Sequence, residues 1–282
     1  MKIAFPELNN PIIKEAVSEV SEADPDFEAI PANSIEEACT LCKNGSADAL
    51  IAGIDYTTRD MVLACRDYLG VAENPIVGTS GKTFSSCFVL KRSQELLDIL
   101  KNNTRSVSSL TEFTNLPYML ILADAGVTKN PTTEQLTDIV LQTHETALKV
   151  LDDEPRIAML SFSTFGSARD ESIDKIHEVI SRVRTLRPEI KIDGEMQLDA
   201  AINPRIAEKK APSSPVAGHA NVLIVPDLNS GNILYKSLEQ FGGYTAAGPI
   251  LQGFIKPCSD LSRGSTKEDV LLVIDTVKKL CQ

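Results

Sequence analysis

Thr132-Thr-Glu-Gln-Leu-Thr-Asp-Ile-Val-Leu-Gln-Thr-His-Glu-Thr-Ala-Leu-Lys-Val-Leu151, followed after a short polar turn by Ile157-Ala-Met-Leu-Ser-Phe162, decides the fold class. Thr132 and Gln135 have the spacing of a capping box, in which two side chains satisfy exposed N–H groups at a helix start. Leu136, Ile139, Val140, Ala147 and Val150 then recur with helical period and form one apolar stripe. The run 157–162 has the length and composition of a buried strand. Upstream, Tyr118–Ala123 is another such run, and downstream Glu171–Leu186 carries Ile173, Ile176, Ile180 and Val183 at helical spacing. The order is therefore strand, helix, strand, helix. A sheet built this way is mainly parallel and takes helices on both faces.

The alternation extends in both directions. Lys2–Phe5, Phe27–Ile30, Ala49–Ala52, Ile76–Thr79 and Phe84–Leu90 read as strands. Asn10–Val20, Ser34–Lys43, Thr58–Leu69 and Ser93–Lys101 read as the helices between them. Asn221–Val225 reads as a further strand, followed by a helix over 232–241 and a last helix over 266–280. A polar, unpatterned stretch at 102–109 puts the expected boundary between two α/β units near 105–115.

With 282 residues, the chain is long enough for two medium domains. A net charge of −11 argues against nucleic acid or an anionic membrane surface as partner. No run of 18 apolar residues is present, and the N-terminus enters a strand directly without a signal-like apolar region, so the expected compartment is the cytoplasm. Six scattered cysteines fit a reducing compartment. Cys39-Thr-Leu-Cys42 lies on an amphipathic helix, where core thiols are the better reading than zinc or redox chemistry. The three histidines show no metal-ligand spacing, and no metal site is expected.

Three segments carry candidate chemistry. The first is Pro249-Ile-Leu-Gln-Gly-Phe-Ile-Lys-Pro-Cys-Ser-Asp-Leu-Ser-Arg-Gly-Ser-Thr-Lys-Glu-Asp269. It brings Ser262, Arg263 and Asp269 to the start of the last helix, an end that attracts anions through N–H groups and the helix dipole. Thr266 and Asp269 also have capping-box spacing, and Arg263 can pair with Asp260. The second is the strand-to-helix loop holding Ser163, Thr164, Gly166 and Ser167. The third holds Ser230, Gly231 and Asn232, with Tyr235 and Lys236 one turn on. Both loops have the hydroxyls, glycine and N–H groups of a phosphate cradle, and also those of an ordinary helix cap. Walker A and GxGxxG motifs are absent, which disfavours nucleotide hydrolysis and Rossmann-type redox chemistry.

Several longer runs resemble phosphate acetyltransferases. They are Asp193-Gly-Glu-Met-Gln-Leu-Asp-Ala-Ala-Ile202, Lys210-Ala-Pro-Ser-Ser-Pro-Val-Ala-Gly218, Asn221-Val-Leu-Ile-Val-Pro-Asp-Leu-Asn-Ser-Gly-Asn232, Gly248-Pro-Ile-Leu-Gln-Gly253 and Asp260-Leu-Ser-Arg-Gly264. The likeness is continuous from about 118 to 282 and weaker before that, where Phe5-Pro6-Glu7 echoes the family's first strand. The resemblance implies two three-layer α/β/α domains with an interdomain cleft, similar to isocitrate dehydrogenases. Residues 1–109 plus 255–282 would form the first domain and 110–254 the second. It also implies a homodimer that interconverts acetyl-CoA and phosphate with CoA and acetyl phosphate, with no bound cofactor or metal. Its partners would be acyl-CoA, phosphate and acyl phosphate.

By the same resemblance, Asp269 would deprotonate the CoA thiol, Arg263 would stabilise the charged transition state, and Ser262 would hydrogen-bond the developing charge. Ser163, Thr164, Gly166, Ser167, Ser230, Gly231, Asn232, Tyr235 and Lys236 would hold the phosphoryl group. A thiol near ~8.5 and a carboxyl near ~4 are mismatched by ~4–5 pH units, so the base needs burial and charged neighbours. The chain also departs from the family pattern. Where an arginine is usual three residues after Asp60 stands Leu63, and Arg66 one turn on is the substitute candidate. Gln240 replaces a second arginine, and Ala125 replaces a cysteine, excluding a cysteine acyl-enzyme there. Alternatives are a propionyl- or butyryl-specific transferase and a divergent or non-catalytic acyl-CoA or acyl-phosphate binder. A metal- and NAD-dependent dehydrogenase of similar fold lacks a carboxylate metal cluster in this sequence.

Overall fold

A computed structural model describes residues 1–72, 83–93, 98 and 117–282. The expected strand at Ile76–Thr79, the polar stretch at 102–109 and nearly all of the helix expected over 93–101 lie outside the described residues.

Among the described residues, ten strands form one continuous sheet in the order β2-β1-β3-β10-β9-β4-β5-β8-β6-β7. In chain order they are β1 Lys2–Phe5, β2 Glu28–Pro31, β3 Ala49–Ala52, β4 Ser85–Arg92, β5 Met119–Ala123, β6 Arg156–Leu160, β7 Lys191–Met196, β8 Val222–Ile224, β9 Tyr244–Gln252 and β10 Cys258–Asp260. Both arms are parallel, as the βα alternation predicts: β2-β1-β3-β10 on one side and β5-β8-β6-β7 on the other. The centre is not. There β10, β9, β4 and β5 pair antiparallel, and Gly248-Pro249 of β9 lies where the register with β4 shifts between Cys87 and Val89. A proline cannot donate to a ladder, and a bulge is where a strand tolerates one.

Helices cover both faces. α1 Pro11–Ala23, α4 Thr133–Val150, α5 Glu171–Leu186 and the last helix, α9 Lys267–Leu280, bury Ile13, Leu136, Ile139, Ile176, Ile180, Val273 and Val277 with sheet residues in one apolar cluster. The opposite face carries two separate groups. α2 Ile35–Lys43 and α3 Thr58–Ala64, which continues as a π-helical turn over Cys65–Leu69, pack on the β1/β3 arm. α6 Leu198–Ile202, α7 Pro204–Lys210 and α8 Leu228–Gly242 pack on the β5/β8/β6 arm. β10 pairs with β3, and α9 packs against α1, so the end of the chain returns to its beginning.

The Cys39 and Cys42 thiols are buried in the apolar cluster of α2, with Cys39 Sγ 3.9 Å from Cys65 Sγ. Burial beside one another pushes these thiols far up, away from the reactive thiolate. Among the described residues no group of three or more His, Cys, Asp or Glu side chains is arranged to hold a metal ion, and no helix is long and apolar enough to cross a membrane.

Candidate active site

Between the two helix groups lies a cavity of about 320 Å³. Its walls come from sequence-distant segments. Gly53, Tyr56, Thr57 and Thr58 follow β3. Asp260, Leu261, Ser262 and Arg263 follow or close β10. Leu228, Asn232 and Tyr235 come from α8, while Phe88, Ala125, Gly126 and Pro249 come from the central strands and the β5 loop. The loops after the C-terminal ends of parallel strands converge here, as expected for an α/β sheet.

Each wall has a local cause. Thr57 and Asp60 form a capping box that starts α3 and leaves Thr58 in its first turn. Asp227 caps α8 by accepting from the Ser230 N–H at 2.8 Å. Tyr235 is stacked on Phe88 with ring centroids 4.1 Å apart. Gly231 lets α8 approach the sheet: a Cβ there would meet the Asp124 carbonyl oxygen at 2.6 Å. The turn after β3 is held by Glu7, whose carboxylate accepts from the N–H groups of Gly53, Ile54 and Asp55. Ser262 and Arg263 stand in the turn between β10 and α9, with the Gly264 N–H donating to Ser262 Oγ at 3.3 Å. Arg263 forms no ion pair within 4 Å among the described residues, so the alternative of a direct pair with Asp260 is not made; its charge acts on the Asp260 carboxyl from farther away.

The expected site residues divide. Ser262, Arg263, Asn232 and Tyr235 share the cavity. Asp269 does not line it. Its carboxylate accepts from the Thr266 N–H at 2.7 Å, and its own N–H donates to Thr266 Oγ1, closing the cap of α9. Lys236 lies over the Tyr235 ring and 3.2 Å from Glu239. Arg66 is exposed and pairs with its neighbour Asp67 at 2.7 Å. Ser230 is engaged in the α8 cap and faces a separate, more apolar cavity beside Phe162 and Leu198.

The loop with Ser163, Thr164, Gly166 and Ser167 has internal partners. Glu195, fully buried at the end of β7, accepts from Ser163 Oγ at 2.7 Å and from the Gly166 N–H at 2.7 Å. Its other oxygen lies 2.6 Å from His177 Nε2. Ser167 Oγ accepts from the Thr164 N–H at 3.0 Å. Burial alone would raise the Glu195 carboxyl, but the donations from Gly166, Ser163 and His177 outweigh it and hold the group below its usual range. The anion cradled by this loop is a side chain of the protein itself.

Among the cavity residues that sequence reasoning did not assign to the site are Gly53, Thr58 and Asp260. Thr58 and Asp260 are 202 positions apart and meet because β10 lies beside β3. No local spacing signals such a pair.

The sequence model of the phosphate acetyl/butaryl transferase family matches residues 25–276. The chain belongs to this family. A phosphate acetyltransferase of Treponema pallidum is 39% identical over 236 residues, covering 83% of this chain and 64% of the relative. One from Clostridium acetobutylicum is 52% identical over 156 residues, 55% of this chain and 47% of that protein. The chain thus spans about half to two thirds of the length of these curated relatives. A solved phosphotransacetylase of Streptococcus pyogenes superposes with a TM-score of 0.79 at 30% identity, covering 100% of this chain and 94% of that one. The family's fold is therefore the one described above, with its large central sheet.

Proposed function

We propose that this member of the family transfers an acyl group between coenzyme A and phosphate: acyl-CoA and phosphate in exchange for CoA and acyl phosphate, with acetyl as the first expected group. The observation that carries the reading is the convergence of Ser262, Arg263, Asn232 and Tyr235 on one cavity in a chain of this family. A cavity of about 320 Å³ takes the acyl phosphate and the thiol end of CoA and leaves the nucleotide outside. Arg263 offers a planar fork of donors without a competing carboxylate in ion-pair distance among the described residues. It would bind the phosphoryl oxygens and stabilise the charge that develops as sulfur attacks the carbonyl carbon. Ser262 Oγ adds a neutral donor beside it. The resemblance to the family gives the thiol proton to Asp269, which here serves the α9 cap. Asp269→Asn tests that assignment through the rate of thioester formation.

CoA is a substrate in this scheme, and no cofactor is invoked. The proposal places the protein in the cytoplasm, where buried thiols such as Cys39 and Cys65 stay reduced. It also takes the active form as a homodimer. Phe162, Phe165, Ile233 and Phe241 are large apolar side chains left exposed, Phe241 by 88%, and supply surface for pairing. A second reading, ligand binding without turnover, draws on Leu63 and Gln240 in place of arginines and on Arg66 being held by Asp67. The deciding experiment is thioester formation by the purified protein from CoA and acetyl, propionyl or butyryl phosphate. Turnover with any of the three supports transfer. Binding of CoA without turnover supports the second reading.

A further inference from the structure

A second hollow, unused by the scheme above, opens beside the cavity. It is an open groove of about 500 Å³ whose walls include Val62, Phe84, Val127, Thr128, Lys129 and Asn130. Two of these walls continue those of the cavity. Thr58 lines the cavity and Val62 the groove, one turn apart on the same face of α3, about 5.4 Å along its axis. Gly126 lines the cavity, and the next residue, Val127, lines the groove. Lys129 and Asn130 beyond it are exposed, so the groove carries the site outward to the surface.

The wall that bears Lys129 is pinned from both sides. The Asp124 carboxylate accepts from the N–H groups of Gly126, Val127 and Thr128 at 3.0, 3.1 and 2.8 Å. The Thr128 hydroxyl donates to the Phe84 carbonyl at 3.1 Å, and the Leu228 N–H donates to the Lys129 carbonyl at 2.9 Å. Gly126 allows the close approach: a Cβ there would stand 2.8 Å from Ser86 Oγ and 3.2 Å from Pro249 Cβ. The floor is apolar, with Phe84 stacked on Phe254 at 4.8 Å between ring centroids.

Charge gives the groove its selectivity. The chain carries a net charge of −11, yet no carboxylate lines the groove among the described residues. Asp138 is buried and accepts from the Thr83 hydroxyl at 2.6 Å. Lys129 forms no ion pair among the described residues. Other cations are engaged: Arg66 pairs with Asp67 and Lys236 with Glu239, while Arg263 faces the cavity itself. CoA is a thiol on a pantetheine arm that ends in a nucleotide bearing a diphosphate and a ribose phosphate. The cavity takes only the thiol end, so the anionic nucleotide needs a place outside it.

Resting on the acyl-transfer reading, with CoA as substrate, we propose that the groove seats the nucleotide half of CoA, with the Lys129 ammonium on its phosphates and the pantetheine arm entering the cavity past Thr58 and Gly126. The lysine stem and the apolar floor cover the carbon skeleton, and the Asn130 amide offers donors and an acceptor to the amides of the arm.

The test measures binding to the full chain by titration calorimetry, with CoA, pantetheine and acetyl phosphate as separate probes. Lys129→Ala should weaken CoA by about tenfold, the worth of one exposed charge-assisted hydrogen bond. Lys129→Arg keeps the charge and should stay within about threefold of wild type. Val62→Glu puts a carboxylate into the groove and should also weaken CoA by about tenfold. Pantetheine, which carries no phosphate, should bind wild type and Lys129→Ala alike, and acetyl phosphate should bind all variants within about twofold of wild type. A Lys129→Ala protein that binds CoA as tightly as wild type, or that loses pantetheine or acetyl phosphate to the same degree, overturns the assignment. Binding and turnover are read separately. A wild type that binds CoA but turns over none of the acyl phosphates removes the acyl-transfer reading while the Lys129→Ala comparison still decides the groove; a wild type that does not bind CoA removes both.

Discussion

The loop around Glu195 and the cavity around Asp260 are built from the same kinds of residue and reach opposite ends. Each has a buried acid, a nearby hydroxyl and a glycine that admits close backbone. Glu195 collects Ser163, Gly166 and His177 and is held below the usual carboxylate range. Asp260 collects only Thr58 and is pushed up to about 7. Burial is the largest influence on both, so the number of donors decides the sign of the shift. A carboxylate with all its donors is a structural pin. One left short of donors can gain and lose a proton near neutral pH.

The sharpest way to break that contrast is Gly53→Ala. Its Cβ would fall 2.3 Å from Asp260 Oδ1 and 2.5 Å from the Leu261 nitrogen, at a φ of +122°. A loss of ~3 kcal/mol or more is expected in urea unfolding, because a left-handed φ and a backbone clash combine. Near-wild-type stability would show that the Asp260 side chain is not confined by this turn.

The next effect contrasts the two acids directly. Glu195→Gln leaves Ser163, Gly166 and His177 without their charged acceptor and should cost ~2–3 kcal/mol at pH 7. Asp260→Asn removes a charge that is unfavourable to bury and should stabilise the fold by on the order of 2–4 kcal/mol at pH 8. The pH dependence follows with opposite signs. The Asp260 carboxyl is raised from 3.8 to about 7, so its stability contribution is full below about 4 and is lost as pH rises through 7. Glu195 is depressed below 4.5, so its contribution is present above that value and is lost as pH falls through its folded pKa. The difference in unfolding free energy between wild type and each variant, measured between pH 3 and 8, reads the two slopes, and equal slopes would contradict the contrast.

The smallest effect concerns the third acid. Thr266→Ala removes the hydroxyl partner in the α9 cap and should cost ~1 kcal/mol. Thioester formation by that variant should stay within about threefold of wild type if Asp269 is a cap alone. A collapse of turnover with retained stability would show that Asp269 belongs to the chemistry as well.

Much of the frame was legible because periodicity is local. The helix expected over 132–151 is Thr133–Val150, and that expected over Glu171–Leu186 is found with the same bounds. The strands β7, β9 and β10 were not read, since Gly194, Gly248-Pro249, Gly253 and Pro257 look like turn signals in a one-dimensional reading. In the fold Gly248-Pro249 falls at a change of register between β4 and β9, which only pairing reveals. The site was half legible for the same reason. Ser262, Arg263 and Asn232 sit at turns and helix starts, where the chemistry of an anion site shows locally. Asp260 and Thr58 meet through the β3–β10 pairing, and the Glu195 carboxylate fills a loop whose sequence alone suggests an empty cradle.

The central claim is that the cavity at Arg263, and not the loop at Glu195, is where acyl transfer occurs. The most direct measurement is the rate of thioester formation from acetyl phosphate and CoA, per folded molecule, for wild type, Arg263→Ala and Glu195→Gln. The account predicts a loss of roughly 10²–10³-fold in Arg263→Ala and a rate within about threefold of wild type in Glu195→Gln. An Arg263→Ala enzyme of undiminished rate, or a Glu195→Gln enzyme that folds and does not turn over, would contradict it.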